Sequence, residues 1–409
     1  MGLRKSGHFL TMMMLYLVTL IMRASFYVTI AVISSSAYMS GALVGWGVAV
    51  VLAIYPIAEL SSVSFFGSYS DKIGRKPIFV ASLFMTGLAA FLFGIATFEF
   101  LAYLLAVLFG LGAASQVTST LSMIADASSE TNRARLMGYY DLSTLAGLAG
   151  GFGLGIILLE FGWQANTLLY IAAAACMISG ILAILLIKET RIVSEKEEVS
   201  MTALLKEVAS DRRIQKMLPV YVPIISLYGL MISQVKHILE EYFSLTATDM
   251  LILFAMLGVS LFLGIITMGH LSDYVMKRRP FIVVGLIGFG ALAYLLVANA
   301  EDFAAIWSVW PLLPTLGFIA GSFAPAAMAY LTDISTEEAR GSTMGVYSIF
   351  FGSGMIIGPI AGQIAYDLSF ANYGTGLIGL AILVAAFIAV ACIGTYFLEE
   401  AAPVIVEEE

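Results

Sequence analysis

Residues 67–77 read Gly67-Ser-Tyr-Ser-Asp71-Lys72-Ile-Gly74-Arg75-Lys76-Pro77, a short run of glycines and charges between two long apolar stretches. A second copy, with one additional residue, reads Gly269-His-Leu-Ser-Asp273-Tyr-Val-Met-Lys277-Arg278-Arg279-Pro280. Two further series recur in the same order. Asp126, Arg133 and Gly138 return as Asp333, Arg340 and Gly345, and Gly147, Gly151 and Gly155 return as Gly354, Gly358 and Gly362. The three matched series predict that the two halves of the chain share one fold.

The composition around these motifs is that of a membrane protein. The chain is 60% hydrophobic and 12% charged, whereas soluble proteins are about 45–50% apolar and about 25% charged. A transmembrane helix needs about 20 predominantly apolar residues, and such stretches follow one another along the whole chain. We therefore expect an all-α membrane protein with most of its residues in the bilayer.

Apolar stretches and turn residues predict twelve transmembrane helices, six in each half. The first six are predicted at 8–37, 42–66, 77–98, 101–125, 137–159 and 164–188, and the second six at 217–242, 248–272, 280–299, 303–331, 343–366 and 371–397. The charged segment between them contains an amphipathic piece at 201–208. We therefore expect an N-terminal domain over 1–188, a cytoplasmic linker over 189–216 and a C-terminal domain over 217–409.

Positive charges predict the orientation, because cytoplasmic loops accumulate lysine and arginine. With the helix count above, all of the 20 lysines and arginines except Arg23 and Lys236 lie on one side. The opposite loops carry acids such as Glu99, Glu160 and Asp367. Both termini are therefore expected in the cytoplasm, and we expect the first helix to remain in the mature protein because no secretory signal precedes it.

Several classes of function do not fit the sequence. A net charge of −8 without a basic stripe is unsuited to nucleic acid. Cys176 and Cys392 lie inside apolar stretches and form no disulfide framework or thiolate metal site. Three scattered histidines provide no catalytic or metal constellation, and no phosphate-binding loop for ATP is present. No cofactor is expected, and an enzyme or a signalling receptor is disfavoured.

The Gly67–Lys76 stretch, in its place between helices 2 and 3, resembles the signature loop of the major facilitator superfamily. The resemblance covers nearly the whole chain and implies two six-helix bundles that rock about a central site. It also implies a gating role for the stretch and for its second copy. The gating residues it indicates are Gly67, Asp71, Lys72, Gly74, Arg75, Lys76, Gly269, Asp273 and Arg278.

The residue types agree with such a role. Gly67 permits close helix approach, Gly74 permits a tight turn, and Asp71 with Arg75 can form a charge-assisted latch to a neighbouring helix. A set of charges near the same helix ends completes the predicted latch: Asp126, Arg133, Asp141, Asp333 and Arg340. The alternative is that these charges only anchor the loops at the headgroups, and Asp141 only pairs with Arg133 or Arg135.

The recurring glycines lie four residues apart, on one face of helices 5 and 11, and predict close helix packing in lipid. Antiporters of the superfamily have a proline in the glycine series of helix 5. This chain has Phe152 there, whereas the proline form occurs on helix 11 as Gly358-Pro359-Ile-Ala-Gly362. The departure leaves assignment as an antiporter open.

Two ionisable residues lie deep in apolar stretches, where a charge is a functional candidate by default. Arg23 lies near the middle of helix 1, and Glu59 lies on helix 2 beside Tyr55 and Pro56. Arg23 can bind an anionic group of the substrate, pair with Glu59 to control proton binding, or form a permanent salt bridge with it. Glu59 is the candidate proton carrier.

Other polar residues are weaker candidates. Lys236, His237, Glu240 and Glu241 form a predicted gate or interface cluster near the outer end of helix 7. Four side chains on central helices are predicted to line the cavity: Gln116, Tyr228, Gln234 and Trp310.

The expected function is proton-coupled transport of a small organic solute by a monomer in the cell membrane, with export of drug-like or amphiphilic compounds favoured. The alternative within this class is an organic-anion transporter that uses Arg23. It lacks a second deep cation at the equivalent place on helix 7, around 225–228. The expected partners are the substrate, protons and the lipid bilayer.

Overall fold

The computed structural model describes residues 2–35, 37–41, 43, 45–127, 133–190, 210, 212–241, 247–298, 308, 310–333 and 340–399. Regular structure within these residues is entirely helical. Twelve of the described helices are long and apolar enough to cross a membrane, which confirms the predicted helix count.

The N-terminal half contains six membrane helices and one short 3-10 turn. The helices are α1 (Gly2–Ile33), α2 (Trp46–Ile73), α3 (Arg75–Ile95), α4 (Glu99–Ala127), α5 (Arg133–Glu160) and α6 (Ala165–Leu186). The 3-10 turn, Tyr38–Gly41, follows α1. There the hydroxyl of Tyr38 donates a hydrogen bond to the carbonyl of Phe93 at 3.0 Å, which ties the turn to α3.

The C-terminal half repeats this order. Its helices are α7 (Arg212–Glu241), α8 (Ala247–Val275), α9 (Arg279–Ala298), α10 (Leu312–Ala320 and Phe323–Asp333), α11 (Arg340–Tyr373) and α12 (Leu377–Tyr396). Helix α10 is interrupted at Gly321 and Ser322. Pro325 follows the interruption and cannot donate a backbone hydrogen bond to the carbonyl of Gly321, which accounts for the break.

Helix pairing within each half follows one scheme. In the N-terminal half α1 packs against α5 and α6, α3 against α4 and α6, and α2 against α4. In the C-terminal half α7 packs against α11 and α12, α9 against α10 and α12, and α8 against α10. The chain divides into two compact units, Met1–Met201 and Thr202–Glu409. The boundary falls inside the predicted linker, whose predicted surface helix at 201–208 lies outside the described residues.

The recurring glycines form close helix contacts in each unit. A Cβ atom at Gly147 would lie 2.6 Å from the Cβ of Arg23 and 2.8 Å from the carbonyl oxygen of Leu20. In the other unit, a Cβ at Gly358 would lie 2.7 Å from the amide nitrogen of Leu230. Any larger residue would push α5 away from α1, or α11 away from α7, so the packing predicted for these glycines is present.

The helix ends differ from prediction at the repeated motif. Helix α2 continues to Ile73, so Gly67, Asp71 and Lys72 lie in its last turns instead of in a loop. Helix α8 likewise continues to Val275 and includes Gly269 and Asp273. An apolar stretch indicates which part of a helix contacts lipid. The backbone hydrogen bonds of the same helix can continue into the polar sequence beyond that stretch, so hydropathy predicts the helix end too early. The loop is reduced to Gly74 in one unit and to residues 276–278 in the other.

Gly74 makes the whole connection between α2 and α3. Its φ is 116°, a conformation that L side chains rarely adopt, and a Cβ there would lie 2.6 Å from Glu189 Oε2. The tight turn expected of Gly74 is therefore present. Gly67 differs, because a Cβ there would meet no described atom of its unit within 4 Å. The close helix approach expected of Gly67 is not made within this unit.

Replacement of Gly74 by alanine is expected to destabilise the protein by about 1–3 kcal/mol, because alanine disfavours this backbone conformation and its methyl group would displace Glu189. Gly67→Ala is the matched control, since it puts a methyl group on α2 where there is space and alanine favours the helix. Thermal unfolding of both variants checks this. Equal melting temperatures would contradict the assignment of Gly74.

Candidate functional site

Arg75 is the centre of a charged network at the ends of α2, α3 and α4. Its Nε donates a hydrogen bond to Asp126 Oδ2 at 3.2 Å, and its Nη1 donates one to Ser70 Oγ at 3.2 Å. The side chains of Arg75 and Asp126 are only 13% and 15% exposed. One guanidinium therefore joins the last turns of α2 and α4 to the first turn of α3.

Glu189, which follows α6, holds the other side of this network. Its carboxylate accepts hydrogen bonds from the backbone amides of Arg75 and Lys76 at 3.0 and 3.1 Å. These amides open α3 and have no partner inside the helix, and an anion there also interacts favourably with the helix dipole. Lys76 Nζ in turn donates a hydrogen bond to the carbonyl of Ile184 at 2.7 Å. The ends of α3 and α6 are therefore fastened together.

Arg278 occupies the equivalent position in the C-terminal unit. Its Nε lies 2.9 Å from Asp333 Oδ2, and its Nη1 lies 2.5 Å from Asp273 Oδ1 and 3.0 Å from Ser272 Oγ. Burial alone would lower the pKa of Arg278, but its hydrogen bonds to Asp333 and Asp273 raise the pKa above its ordinary value. Arg278 therefore stays charged and links the ends of α8 and α10 to the start of α9.

The structure merges two predicted groups, because gating residues and latch residues form one network in each unit. Ser70, Ser272 and Glu189 were not predicted, although a serine directly before the aspartate in both copies was a visible signal. The side chains of Asp71, Arg133, Asp141 and Arg340 lie outside the described part of the chain, and their roles remain predictions. Nothing in the described part of the chain explains Phe152 in the glycine series.

The bond between Arg75 and Asp126 is expected to show a coupling energy of about 1.5–3 kcal/mol, the range for hydrogen bonds to charged groups. The measurement is a double-mutant cycle of Arg75→Gln and Asp126→Asn on the free energy of unfolding in micelles. Lys76→Gln with Asp126→Asn is the control pair, because Lys76 bonds Ile184 instead. The control pair should be additive within about 0.5 kcal/mol. Equal coupling energies in the two cycles would show that Asp126 interacts with positive charge in general and not with Arg75 specifically.

Arg23 is the buried cation of the N-terminal unit. It is 6% exposed and lies close to the midpoint of the span Leu10–Ile33. Tyr140 of α5 forms a side-chain hydrogen bond with its guanidinium, and the ring of Phe26 lies 6.0 Å from Cζ. The Nε atom of Arg23 is buried and has no hydrogen-bond partner. Arg23 is therefore held in place, and its Nε–H group remains available as a hydrogen-bond donor.

Glu59 of α2 is partly accessible and interacts electrostatically with Arg23. Within the described chain no nitrogen of Arg23 lies within 4.0 Å of a Glu59 carboxylate oxygen, so the two are not a formed ion pair. Tyr55, one turn earlier on α2, is 4% exposed and its hydroxyl has no hydrogen-bond partner. A guanidinium, a carboxylate and a phenol thus interact electrostatically without forming hydrogen bonds to one another.

Gln116 of α4 borders α1 in the same unit. It is fully buried, and its Nε2 donates hydrogen bonds to Thr120 at 3.1 Å and to Thr19 at 3.4 Å. Thr19 lies one turn before Arg23 on α1. The Oε1 atom of Gln116 is buried and has no hydrogen-bond partner. The helix pair α1 and α4 therefore carries an acceptor without a partner, Gln116 Oε1, and a donor without a partner, Arg23 Nε.

The C-terminal unit contains a chain of polar side chains on α7 and α11. Gln234 Nε2 of α7 donates a hydrogen bond to Gln363 Oε1 of α11 at 3.1 Å. Gln363 Nε2 donates to Asp367 Oδ1 at 2.9 Å. Gln363 was not predicted, and Asp367 was wrongly assigned to a loop, because α11 continues to Tyr373. The predicted residue Gln234 therefore lies in a polar chain.

Two further predicted lining residues have different positions. Tyr228 lies on α7 with its ring 6.3 Å from that of Phe351. Trp310 was predicted inside helix 10 but precedes it and is 55% exposed, because Pro311 directly precedes the first residue of α10, Leu312. The prediction that Trp310 lies within helix 10 differs from the structure, and its role in lining the cavity stays a prediction. The side chains of Lys236, His237, Glu240 and Glu241 are not among those described.

Comparisons of the sequence agree with this architecture. The sequence profile of the Major Facilitator Superfamily matches residues 12–235 and 221–407. Multidrug resistance protein 1 of Bacillus subtilis (strain 168) is 27% identical over 353 residues, which cover 83% of this chain and 85% of that protein. Tetracycline resistance protein, class H, of Pasteurella multocida is 27% identical over 349 residues, which cover 81% and 82%.

Solved transporters share the fold. The crystal structure of the nucleoside transporter NupG superposes with a TM-score of 0.72 at 13% identity, covering 95% of this chain and 100% of that chain. The human organic anion transporter MFSD10 (TETRAN) superposes with a TM-score of 0.67 at 12% identity, covering 96% and 99%. At these identities the likeness concerns the fold alone.

Proposed function

The chain belongs to the Major Facilitator Superfamily, and we propose that it exports a drug-like or amphiphilic solute in exchange for protons. It is a multi-pass membrane transporter of small molecules and not an enzyme. Relatives named for multidrug and tetracycline resistance support the substrate class. The relation of Arg23 to Glu59 supports proton coupling and carries the proposal.

The single observation behind coupling is that Arg23 and Glu59 interact without forming an ion pair. A permanent salt bridge would keep both charges satisfied in every state. A carboxyl group in a medium of low dielectric instead gains or loses its proton as the distance to a nearby cation changes. Glu59 can therefore bind a proton in one conformation and release it in another, while Arg23 stays charged.

The helix-end networks support alternating access. Arg75 joins the ends of α2, α3 and α4, and Arg278 joins those of α8, α9 and α10, so each set would move as one group. Rocking of such rigid groups, rather than bending of single helices, is how transporters with repeated bundles expose a site to one side at a time. Glu59 lies on α2 and would move with the group that Arg75 holds.

We also propose that the protein is a monomer in the cell membrane with both termini in the cytoplasm. The support is the distribution of lysine and arginine, because translocated short loops exclude them. Lys72, Arg75 and Lys76 lie where α2 meets α3, and Arg278 and Arg279 lie at the equivalent place before α9, which supports the proposed orientation.

Glu59→Gln is expected to abolish transport driven by a pH gradient while leaving solute exchange within about twofold of wild type. A neutral amide keeps the shape of the side chain but cannot change its charge. The measurement compares gradient-driven uptake with exchange in proteoliposomes. Glu99→Gln is the matched control, because Glu99 lies at the first residue of α4 and bonds Tyr103. Full pH-driven transport by a folded Glu59→Gln protein would overturn the coupling role.

A second candidate function, transport of an organic anion, is favoured by one observation. The Nε atom of Arg23 is a buried donor without a partner, and a carboxylate or phosphate on a solute would satisfy it. In that case Arg23 would contact the substrate directly.

Arg23→Gln separates the two functions. For proton-coupled export of a cationic or neutral amphiphile, the variant should still bind solute, within about threefold of wild type, because the guanidinium is not a ligand. It should lose pH-driven transport, as Glu59→Gln does. Equilibrium binding measured in nanodiscs checks this. Loss of binding by Arg23→Gln with Glu59 intact would establish the anion transporter instead.

A further inference from the structure

A chain of three polar side chains crosses from α7 to α11 in the C-terminal unit. Gln234 and Gln363 are 4% and 6% exposed, and Asp367 continues the chain one turn further along α11. Gln363 lies within the span Ile349–Tyr373, and Gln234 is the last residue of the span Arg212–Gln234. Buried polar groups on membrane helices are costly, so a hydrogen-bonded pair of amides there is a functional candidate.

Asp367 determines the direction in which the hydrogen bonds run along these three side chains. An ionised carboxylate only accepts hydrogen bonds, so Gln363 turns its NH2 group toward Asp367. The carbonyl oxygen of Gln363 then faces Gln234 and accepts the hydrogen bond from its NH2 group. The carbonyl oxygen of Gln234 is the free end, and it accepts no hydrogen bond from a described residue. The chain therefore ends in an acceptor.

Close packing keeps the two glutamines together. A Cβ at Gly362 would lie 3.2 Å from Leu230 Cγ and 3.7 Å from Gln234 Cγ, so the stem of Gln234 lies against the backbone of α11. With both stems confined, rotation of the terminal amides is the main freedom that remains. The orientation of the amides therefore depends on the carboxylate at the end of the chain.

We infer that Asp367 is a positioning residue that, through Gln363, makes the carbonyl of Gln234 a binding group for an N–H donor, namely the ammonium group of an amphiphilic solute. The inference rests on the proposed export of amphiphilic solutes and names the class among them. An ammonium donates hydrogen bonds to a carbonyl oxygen, and a hydrogen bond from a charged donor is stronger than one between neutral groups. With an amide at position 367, the chain could run in either direction, and Gln234 would present its NH2 group as readily as its oxygen.

Two probes of equal charge test this. Phenylbutylammonium has N–H donors, whereas its trimethylammonium analogue has none. Binding of each probe is measured at equilibrium in nanodiscs for wild type, Asp367→Asn and Gln363→Met. The second variant breaks the chain but keeps the carboxylate, and methionine matches glutamine in length. Asp249→Asn on α8 is the control for loss of one carboxylate, and thermal unfolding confirms that each variant is folded.

Both chain variants are expected to weaken binding of the ammonium probe by about threefold to tenfold, the loss of one hydrogen bond, and to leave the trimethylammonium probe unchanged. Asp249→Asn should change neither. Equal weakening of both probes by Asp367→Asn, with no effect of Gln363→Met, would show that the carboxylate attracts cations by charge alone and overturn the inference. Failure of wild type to prefer the ammonium probe would also overturn it. If the proposed proton coupling is wrong, this would be seen in the gradient-driven assay of Glu59→Gln and not in these binding measurements.

Discussion

The direct contact between α1 and α5 at Gly147 and Gly151 is the interaction on which the arrangement of the N-terminal unit depends. Lipid offers helices no hydrophobic reason to associate, so they pack where small residues allow backbones to touch. Gly147 lies against Arg23 itself. The same contact brings Tyr140 of α5 to the guanidinium and leaves its Nε without a partner. Glycine packing thus determines which side chains contact Arg23, whose charge would be unfavourable in lipid.

The equivalent contact between α7 and α11 has a different result. Gly354 lies against Ile225, as Gly147 lies against Arg23, and further along the same helix pair Gln234 meets Gln363. Two units with one pairing scheme therefore carry different polar groups on their paired helices. A guanidinium and a carboxylate are suited to binding and releasing protons, whereas directed amides are suited to selecting a hydrogen-bonding solute. This division is consistent with coupling in one repeat and substrate selection in the other.

The helix ends show how one motif tolerates an insertion. In the N-terminal unit Gly74 alone makes the turn, and Glu189 caps the helix that follows. The C-terminal copy has one more residue, its turn includes Met276 at a positive φ of 57°, and Arg278 bonds Asp273 as well as Asp333. In both units an arginine joins the ends of three helices. The shared result is a set of three helices joined at their ends.

The sequence by itself determined the class of the protein, the twelve helices and the deep position of Arg23 and Glu59. Each of these follows from local composition, because lipid requires about 20 apolar residues per helix and a charge inside such a stretch is visible. Only the tertiary structure decided the partners. Asp126 meets Arg75 across 51 positions and Glu189 meets it across 114. Asp367 joined the polar chain because α11 extends past its apolar stretch, and the end of a helix depends on backbone hydrogen bonding and packing, which hydropathy does not report.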